Sequence, residues 1–61
     1  MVKIKIHTDN DAFSEDPFPE IARILHNLAN TIESATIASG DALKLRDING
    51  NTVGLFEYTA D

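Results

Sequence analysis

Cysteine is absent from the 61-residue chain, which excludes a disulfide framework and any chemistry that needs a thiolate. This absence suits a reducing compartment. Long apolar runs are also missing: nothing approaches the roughly 18 residues of a membrane span, and the N-terminal MVKIKIH is not typical of a signal peptide. We therefore expect a soluble, cytoplasmic protein that forms a single domain over residues 1–61.

Basic residues are scarce, because five Lys and Arg stand against ten Asp and Glu, for a net charge of −5. A general nucleic-acid binder needs a basic footprint that neutralises phosphates, so the charge balance disfavours that class. The balance is compatible with a protein that contacts basic surfaces, including the nucleic-acid channels of other proteins. A negative net charge also serves solubility alone.

Two hydrophobic periodicities follow one another in the first half of the chain. Residues 2–7, VKIKIH, alternate strictly and predict a strand that is covered on one face only. From Phe18 the spacing changes to three and four, which predicts an amphipathic helix from Pro17 or Pro19 to about Ala35. Asp16 before Pro17 is the expected N-cap. The apolar positions that predict this helix are Phe18, Ile21, Leu25, Leu28 and Ile32.

Two further strands, in DALKLRD and NTVGLFEYT, complete the predicted order β-α-β-β. The predicted fold class is α+β, with one amphipathic helix packed on a three-stranded antiparallel sheet. We favour the first strand beside the last, because all neighbours are then antiparallel; the first strand beside the second is the alternative. Gly54 inside the last strand predicts a bulge or a close contact.

The turn within LRDINGNTVG, residues 45–54, determines which side chains share a face of the sheet. A two-residue turn at Asn49-Gly50 is the strongest short hairpin signal, but it would mix cations with aliphatic side chains on each face. A three-residue loop that starts after Asp47, with Gly50 in the left-handed region, separates them. We predict the three-residue loop. Its residue pairs are Asp47 with Asn51, Leu45 with Val53, and Leu43 with Leu55.

This pairing directs the hairpin aliphatics toward the helix, together with Val2, Ile4 and Ile6. Exposed aromatic rings between basic residues would then occupy the opposite face, as in some small domains that stack single-stranded bases. A protein contact, or a solvated face on which the rings pack against Lys and Arg stems, explains the same pattern. The predicted contact residues of this open face are Lys3, Lys5, His7, Lys44, Arg46, Phe56 and Tyr58.

A second candidate surface is an acidic row close to the predicted helix start. Such a row could imitate phosphates and occupy a cationic channel, although favourable charge at the helix N-terminus explains it equally well. Its residues are Asp9, Asp11, Glu15, Asp16 and Glu20.

No catalytic or metal-binding pattern is present in the sequence. His7 and His26 lie on different elements, and no serine has a base at an interpretable spacing. DNDAFSED clusters carboxylates, but Phe13 replaces an oxygen ligand and the glycine of a calcium loop is missing. We expect no enzymatic activity, no cofactor and no metal.

The strings TDNDAF, EIARILHNLANTIES and LRDINGNTVGLFE resemble short proteins of unknown function carried by bacteriophages and prophages. In size, acidity and lack of catalytic residues, the chain is also similar to anti-CRISPR proteins, which block CRISPR-Cas effector complexes by direct binding. Those proteins have many unrelated folds, so no functional residue carries over to a position here.

The resemblance implies a non-enzymatic inhibitor of a host defence complex, acting by direct protein–protein contact in the host bacterial cytoplasm. The acidic row would serve as a nucleic-acid mimic, and the partner would be a protein such as a CRISPR-Cas effector subunit. The protein would be a monomer or a weak homodimer without membrane contact. Two alternatives stay open: a small single-stranded nucleic-acid or nucleoprotein binder that uses the basic-aromatic face, and a phage assembly accessory.

Overall fold

The computed structural model describes all residues 1–61 and contains three strands, one α-helix and one 3₁₀ turn. The strands form one antiparallel sheet in the order β1-β3-β2, and α1 packs on one face of it. The predicted α+β fold and the favoured strand order are therefore confirmed. The elements are β1 (Val2–Ile6), the 3₁₀ turn (Asp11–Phe13), α1 (Phe18–Ser34), β2 (Ala42–Arg46) and β3 (Thr52–Tyr58).

The start of α1 follows from the Asp16-Pro17 pair. Pro17 already has helical torsion angles, φ −75° and ψ −18°, and its carbonyl accepts a hydrogen bond from the Ile21 N–H at 3.0 Å. Asp16 Oδ1 accepts from the Phe18 N–H at 3.1 Å, which satisfies one of the free donors of the first turn. The helix ends where Ala35 turns to extended backbone, with φ −102° and ψ 152°.

The core contains six buried apolar side chains contributed by the 3₁₀ turn, α1 and the hairpin of β2 and β3. Phe13, which interrupts the acidic loop, is 3% exposed and anchors that loop in the core. Burying such side chains contributes about 1.5–3 kcal/mol each to folding. The six residues are Phe13, Ile24, Leu28, Leu45, Val53 and Phe56.

The helix rests on the sheet along a different line from the one predicted. Its nearest neighbours are β2 and the 3₁₀ turn, so Ile24 and Leu28 are buried. Phe18, Leu25 and Ile32, which were predicted to cover the sheet, are exposed. Three of the five predicted apolar positions of the helix therefore lie outside the core.

The turn between β2 and β3 is the predicted three-residue loop. Gly50 has φ +86°, in the left-handed region that glycine tolerates, and its N–H donates to the Asp47 carbonyl at 3.0 Å. The Asp47 N–H donates to the Asn51 carbonyl at 2.9 Å, which closes the loop.

A β-bulge beyond this loop changes the pairing that was predicted for the rest of the hairpin. Arg46 pairs with Thr52, but Leu45 pairs with Gly54, so Val53 is an extra residue on β3. The predicted pairs of Leu45 with Val53 and of Leu43 with Leu55 are therefore wrong. Leu43 pairs with Phe56 instead.

The bulge moves the two aromatic side chains of β3 to the helix side of the sheet. Phe56 is 4% exposed and Tyr58 is half-buried against the core, which contradicts their predicted place on the open face. Leu55 and Glu57 take the open-face positions. The reason is the side-chain period of two, because one extra residue exchanges the faces of everything that follows.

Gly54 is the residue that the bulged strand requires. A Cβ at this position would overlap the carbonyl oxygen of Lys5 and lie 2.8 Å from its carbonyl carbon. The close contact predicted for Gly54 is thus confirmed, and β1 can approach β3 here only because a side chain is absent.

We expect Gly54→Ala to destabilise the fold by about 3 kcal/mol or to abolish cooperative unfolding, because the added methyl overlaps backbone that cannot move aside alone. Gly50→Ala is the matched control. Its Cβ meets nothing within 4 Å, so only the left-handed backbone cost of about 1–2 kcal/mol applies. Urea denaturation followed by circular dichroism measures both. A Gly54→Ala protein as stable as Gly50→Ala would contradict the proposed contact.

Candidate functional site

Four carboxylates lie exposed in the segment between β1 and α1, and none of them forms an ion pair. The ion pairs of the molecule join Met1 to Asp61 and Arg23 to Glu20. We call residues 9–16 the acidic segment. Its exposed carboxylates belong to Asp9, Asp11, Glu15 and Asp16.

The acidic segment is fixed to the rest of the fold at its centre. Asn10 Oδ1 accepts from the Ala12 N–H at 3.0 Å, which caps the 3₁₀ turn. Asn10 Nδ2 donates to Asp47 Oδ2 at 2.7 Å, which ties the segment to the β2-β3 loop. Because Phe13 is also buried in the core, the backbone that carries the carboxylates is ordered.

Glu15 has an uncommon backbone conformation, with φ +68°. The Asp16 N–H donates to the Ser14 carbonyl at 2.9 Å, so Glu15 is the central residue of a γ-turn. A left-handed conformation costs a residue with a Cβ about 1–2 kcal/mol. The turn leads the chain directly from the 3₁₀ turn into the Asp16 cap of α1.

Glu20, the fifth member of the predicted acidic row, is not part of this surface. It is 8% exposed and forms a two-bond ion pair with Arg23, from Nε to Oε1 at 2.6 Å and from Nη2 to Oε2 at 3.0 Å. Its Oε2 also accepts from the Ile48 N–H at 2.8 Å. Glu20 therefore joins the start of α1 to the β2-β3 loop.

Asp47 is a second buried carboxylate, which the sequence analysis assigned only to the first position of the turn. It is 4% exposed. Its Oδ1 accepts from the Asn49 and Asn51 N–H groups, each at 2.9 Å. Its Oδ2 accepts from Asn10 Nδ2 and from Asn51 Nδ2, the latter at 3.1 Å. The sequence signal for this hydrogen-bonded role was an Asp followed by Asn two and four residues later, because Asp side chains accept hydrogen bonds from the backbone of their own turn.

The pKa values of both buried carboxyl groups are lowered. For Glu20 the main cause is the hydrogen-bonded Arg23 guanidinium, whose own pKa is raised in return. For Asp47 burial is the largest single influence and raises the pKa, but the hydrogen bonds from Asn51, Asn10 and Asn49 together outweigh it. Both groups are ionised at neutral pH and stabilise the fold in that form.

The open face of the sheet carries basic side chains without aromatic rings. Lys5 and Lys44 pair with Leu55 from either side, and Lys3 pairs with Glu57. Arg46 Nη1 donates to Gly50 O and Thr52 Oγ1, both at 3.3 Å. His7 is exposed just beyond β1. Because Phe56 and Tyr58 face the helix side, no base-stacking platform is formed here.

A groove on the helix side of the sheet is the surface that the sequence analysis missed. It encloses about 440 Å³ between β1 and the C-terminal half of α1. Val2 is 53% exposed and Ile4 45% exposed, although both were predicted to lie beneath the helix. They are open because α1 lies near β2 at the other edge. The six lining side chains are all apolar: Val2, Ile4, Ile32, Ile37, Phe56 and Tyr58.

No three His, Asp or Glu side chains converge as metal ligands would. The helix is too short and too polar to cross a bilayer.

We expect the free energy of unfolding to decrease as pH falls below about 4, the ordinary range of Asp and Glu carboxyl groups. A lowered folded-state pKa gives stability that is complete above the unfolded pKa and is lost as pH falls through the folded value. The double variant Glu20→Gln/Asp47→Asn should be less stable at pH 7 and depend less on pH in this window. Urea denaturation from pH 7 to pH 2 measures this, and an unchanged pH dependence would contradict the assignment.

No family model, no curated protein and no solved structure matches the chain.

Proposed function

We propose that the protein is a non-enzymatic binding protein that contacts a basic protein surface through the acidic segment. The observation that carries this proposal is the group of exposed carboxylates without ion-pair partners on an anchored backbone. The resemblance to small phage proteins and to anti-CRISPR proteins gives the proposed target. It is a host defence complex, such as a CRISPR-Cas effector, whose Lys and Arg side chains normally hold nucleic acid.

Anchoring matters because ordering a flexible segment on binding costs free energy. The buried Phe13, the Asn10–Asp47 hydrogen bond and the Asp16 cap have already ordered this segment in the free protein. Less conformational entropy is then lost when the carboxylates meet their partner. The acidic segment is thus preorganised for binding.

The absence of ion pairs matters because a carboxylate that is already paired with a cation must lose that interaction before it can bind a partner. The only ion-paired Arg of the chain is Arg23, and it binds Glu20 rather than the acidic segment. Four carboxylates within eight residues therefore present uncompensated negative charge. Such a patch steers association with a basic surface and fixes its orientation.

The mechanism of inhibition is occupation of a cationic channel by carboxylates in place of phosphates. The proposed mimic comprises four acids rather than the five predicted, because Glu20 is buried. The single-stranded nucleic-acid alternative is not favoured, since it depended on Phe56 and Tyr58 on the open face.

We expect Asp9→Asn/Glu15→Gln to weaken binding to the target about tenfold, since each neutralisation removes one screened ion pair. The matched control is Glu33→Gln/Glu57→Gln, which changes the net charge equally at exposed acids outside the segment. None of these four side chains makes a hydrogen bond or an ion pair, so the fold should be kept. Plating of a CRISPR-targeted phage on hosts that express each protein, across CRISPR-Cas types, measures inhibition.

Two results would contradict separate parts of the proposal. Equal inhibition by the Asp9/Glu15 variant and the control would show that the acidic segment is not the contact surface. Failure of the wild-type protein to restore plating in any CRISPR-positive host would remove the defence complex as the target.

A further inference from the structure

The exposed side of α1 carries a regular apolar stripe that the core does not use. It consists of five residues that are four, three, four and three positions apart in the sequence, so all of them lie on one side of the helix. Phe18 is 71% exposed, and Leu25 and Ile32 are also exposed. We call this set the helix stripe. It consists of Phe18, Ala22, Leu25, Ala29 and Ile32.

We propose that the helix stripe and the adjoining groove form the interface of a two-fold symmetric homodimer, in which the α1 helices of two copies pack antiparallel. A two-fold interface uses the same patch on both subunits, so the patch must be complementary to itself. The helix stripe meets this requirement through its alternation of large and small side chains.

Large residues recur every seven positions at 18, 25 and 32, and alanines recur every seven positions at 22 and 29. In a parallel pair in register, the large side chains would meet one another. An antiparallel pair places Leu25 of one copy over an alanine of the other, and the alanines allow the backbones to approach. The occupant that fits this stripe is a helix with the same repeat.

The position of α1 on the sheet leaves β1 uncovered. α1 lies nearest β2, and β1 is two strands away in the order β1-β3-β2. The apolar side chains of Val2 and Ile4 on β1 are therefore open beside α1. Ile32 lines the groove and also belongs to the helix stripe, so the two surfaces are continuous.

Large apolar side chains are exposed on both surfaces. They are Phe18 at 71%, Val2 at 53%, Ile4 at 45%, Leu25 at 40% and Ile32 at 37%. Contiguous exposed apolar residues of this kind mark interaction sites on soluble proteins. The monomer has a small core of six apolar side chains, so the interface would add substantially to the buried apolar surface.

Charge favours the antiparallel arrangement over the parallel one. The helix stripe contains no ionisable side chain, but the acidic segment directly precedes it at the N-terminal end of α1. In an antiparallel pair the two acidic segments lie at opposite ends of a 17-residue helix, about 25 Å apart. That distance exceeds the screening length of about 8 Å at physiological ionic strength. A parallel pair would place the two segments together.

Sedimentation equilibrium of the purified protein from about 1 μM to 1 mM tests the dimer. We expect a dimer in this range, with Leu25→Glu weakening association at least about tenfold, as for a central apolar contact. Asn30→Glu, the matched control, adds the same charge to an exposed helix position outside the stripe and should change association less than about threefold. Ala22→Gln, which adds bulk at the close approach, should act like Leu25→Glu.

Circular dichroism of the variants verifies that each is folded, which is expected because Leu25, Ala22 and Asn30 are all exposed. A wild-type protein that stays monomeric at the highest concentration would overturn the proposal and leave the patch to a different partner. A dimer that is equally strong in Leu25→Glu and Ala22→Gln would overturn it as well.

One competing dimer has its own signature. Met1 and His7, which flank β1, form backbone hydrogen bonds with Thr59 and Val53. The backbone N–H and C=O groups of the odd-numbered residues of β1 therefore point toward β3. Alternation then leaves the N–H of Ile4 at the free edge. A dimer that resists Leu25→Glu but is lost in Ile4→Pro would be formed by paired β1 edges, and the helix-stripe proposal would be wrong.

Discussion

The contact between the backbone of Gly54 and the carbonyl of Lys5 is the constraint on which the arrangement of the sheet depends. No other residue fits there, because any Cβ would overlap the Lys5 carbonyl oxygen. Gly54 pairs with Ile6 of β1, and Val53 beside it is the extra residue of the bulge in the β2–β3 pairing. From this point onward, Phe56 and Tyr58 face the helix and Leu55 faces away. The glycine and the adjacent bulge together decide the character of both faces of the sheet.

A network of polar groups holds the other end of the molecule. Buried charges are costly unless they are paired and fully hydrogen-bonded. Here the Glu20 carboxylate has Arg23 and the Ile48 N–H, and Asp47 has four donors. No buried polar side-chain atom is left without a partner. The network joins the acidic segment, the start of α1 and the hairpin loop, so the surface proposed for binding is attached to the core on both sides.

Features that depend on near neighbours in sequence could be predicted. The start of α1 follows from Asp16-Pro17, and the three-residue loop follows from Asp47 and Gly50, which lie within one turn. Features that depend on contacts between distant residues could not. Buried Glu20 binds the N–H of Ile48, which is 28 residues away, and Gly54 lies against the carbonyl of Lys5 on another strand. The placement of α1 near β2 depends on the packing of the 3₁₀ turn, so the helix stripe and the groove were visible only in three dimensions.

A molecule bound in the uncovered groove would stabilise the folded state. A domain of this size buries a modest fraction of its surface, and its stability is correspondingly small. Any molecule that fills the space above Val2 and Ile4 binds the native chain and not the unfolded chain, so it shifts the folding equilibrium by mass action. The lifetime of the protein against proteolysis in a cell would then rise with the concentration of whatever occupies this space.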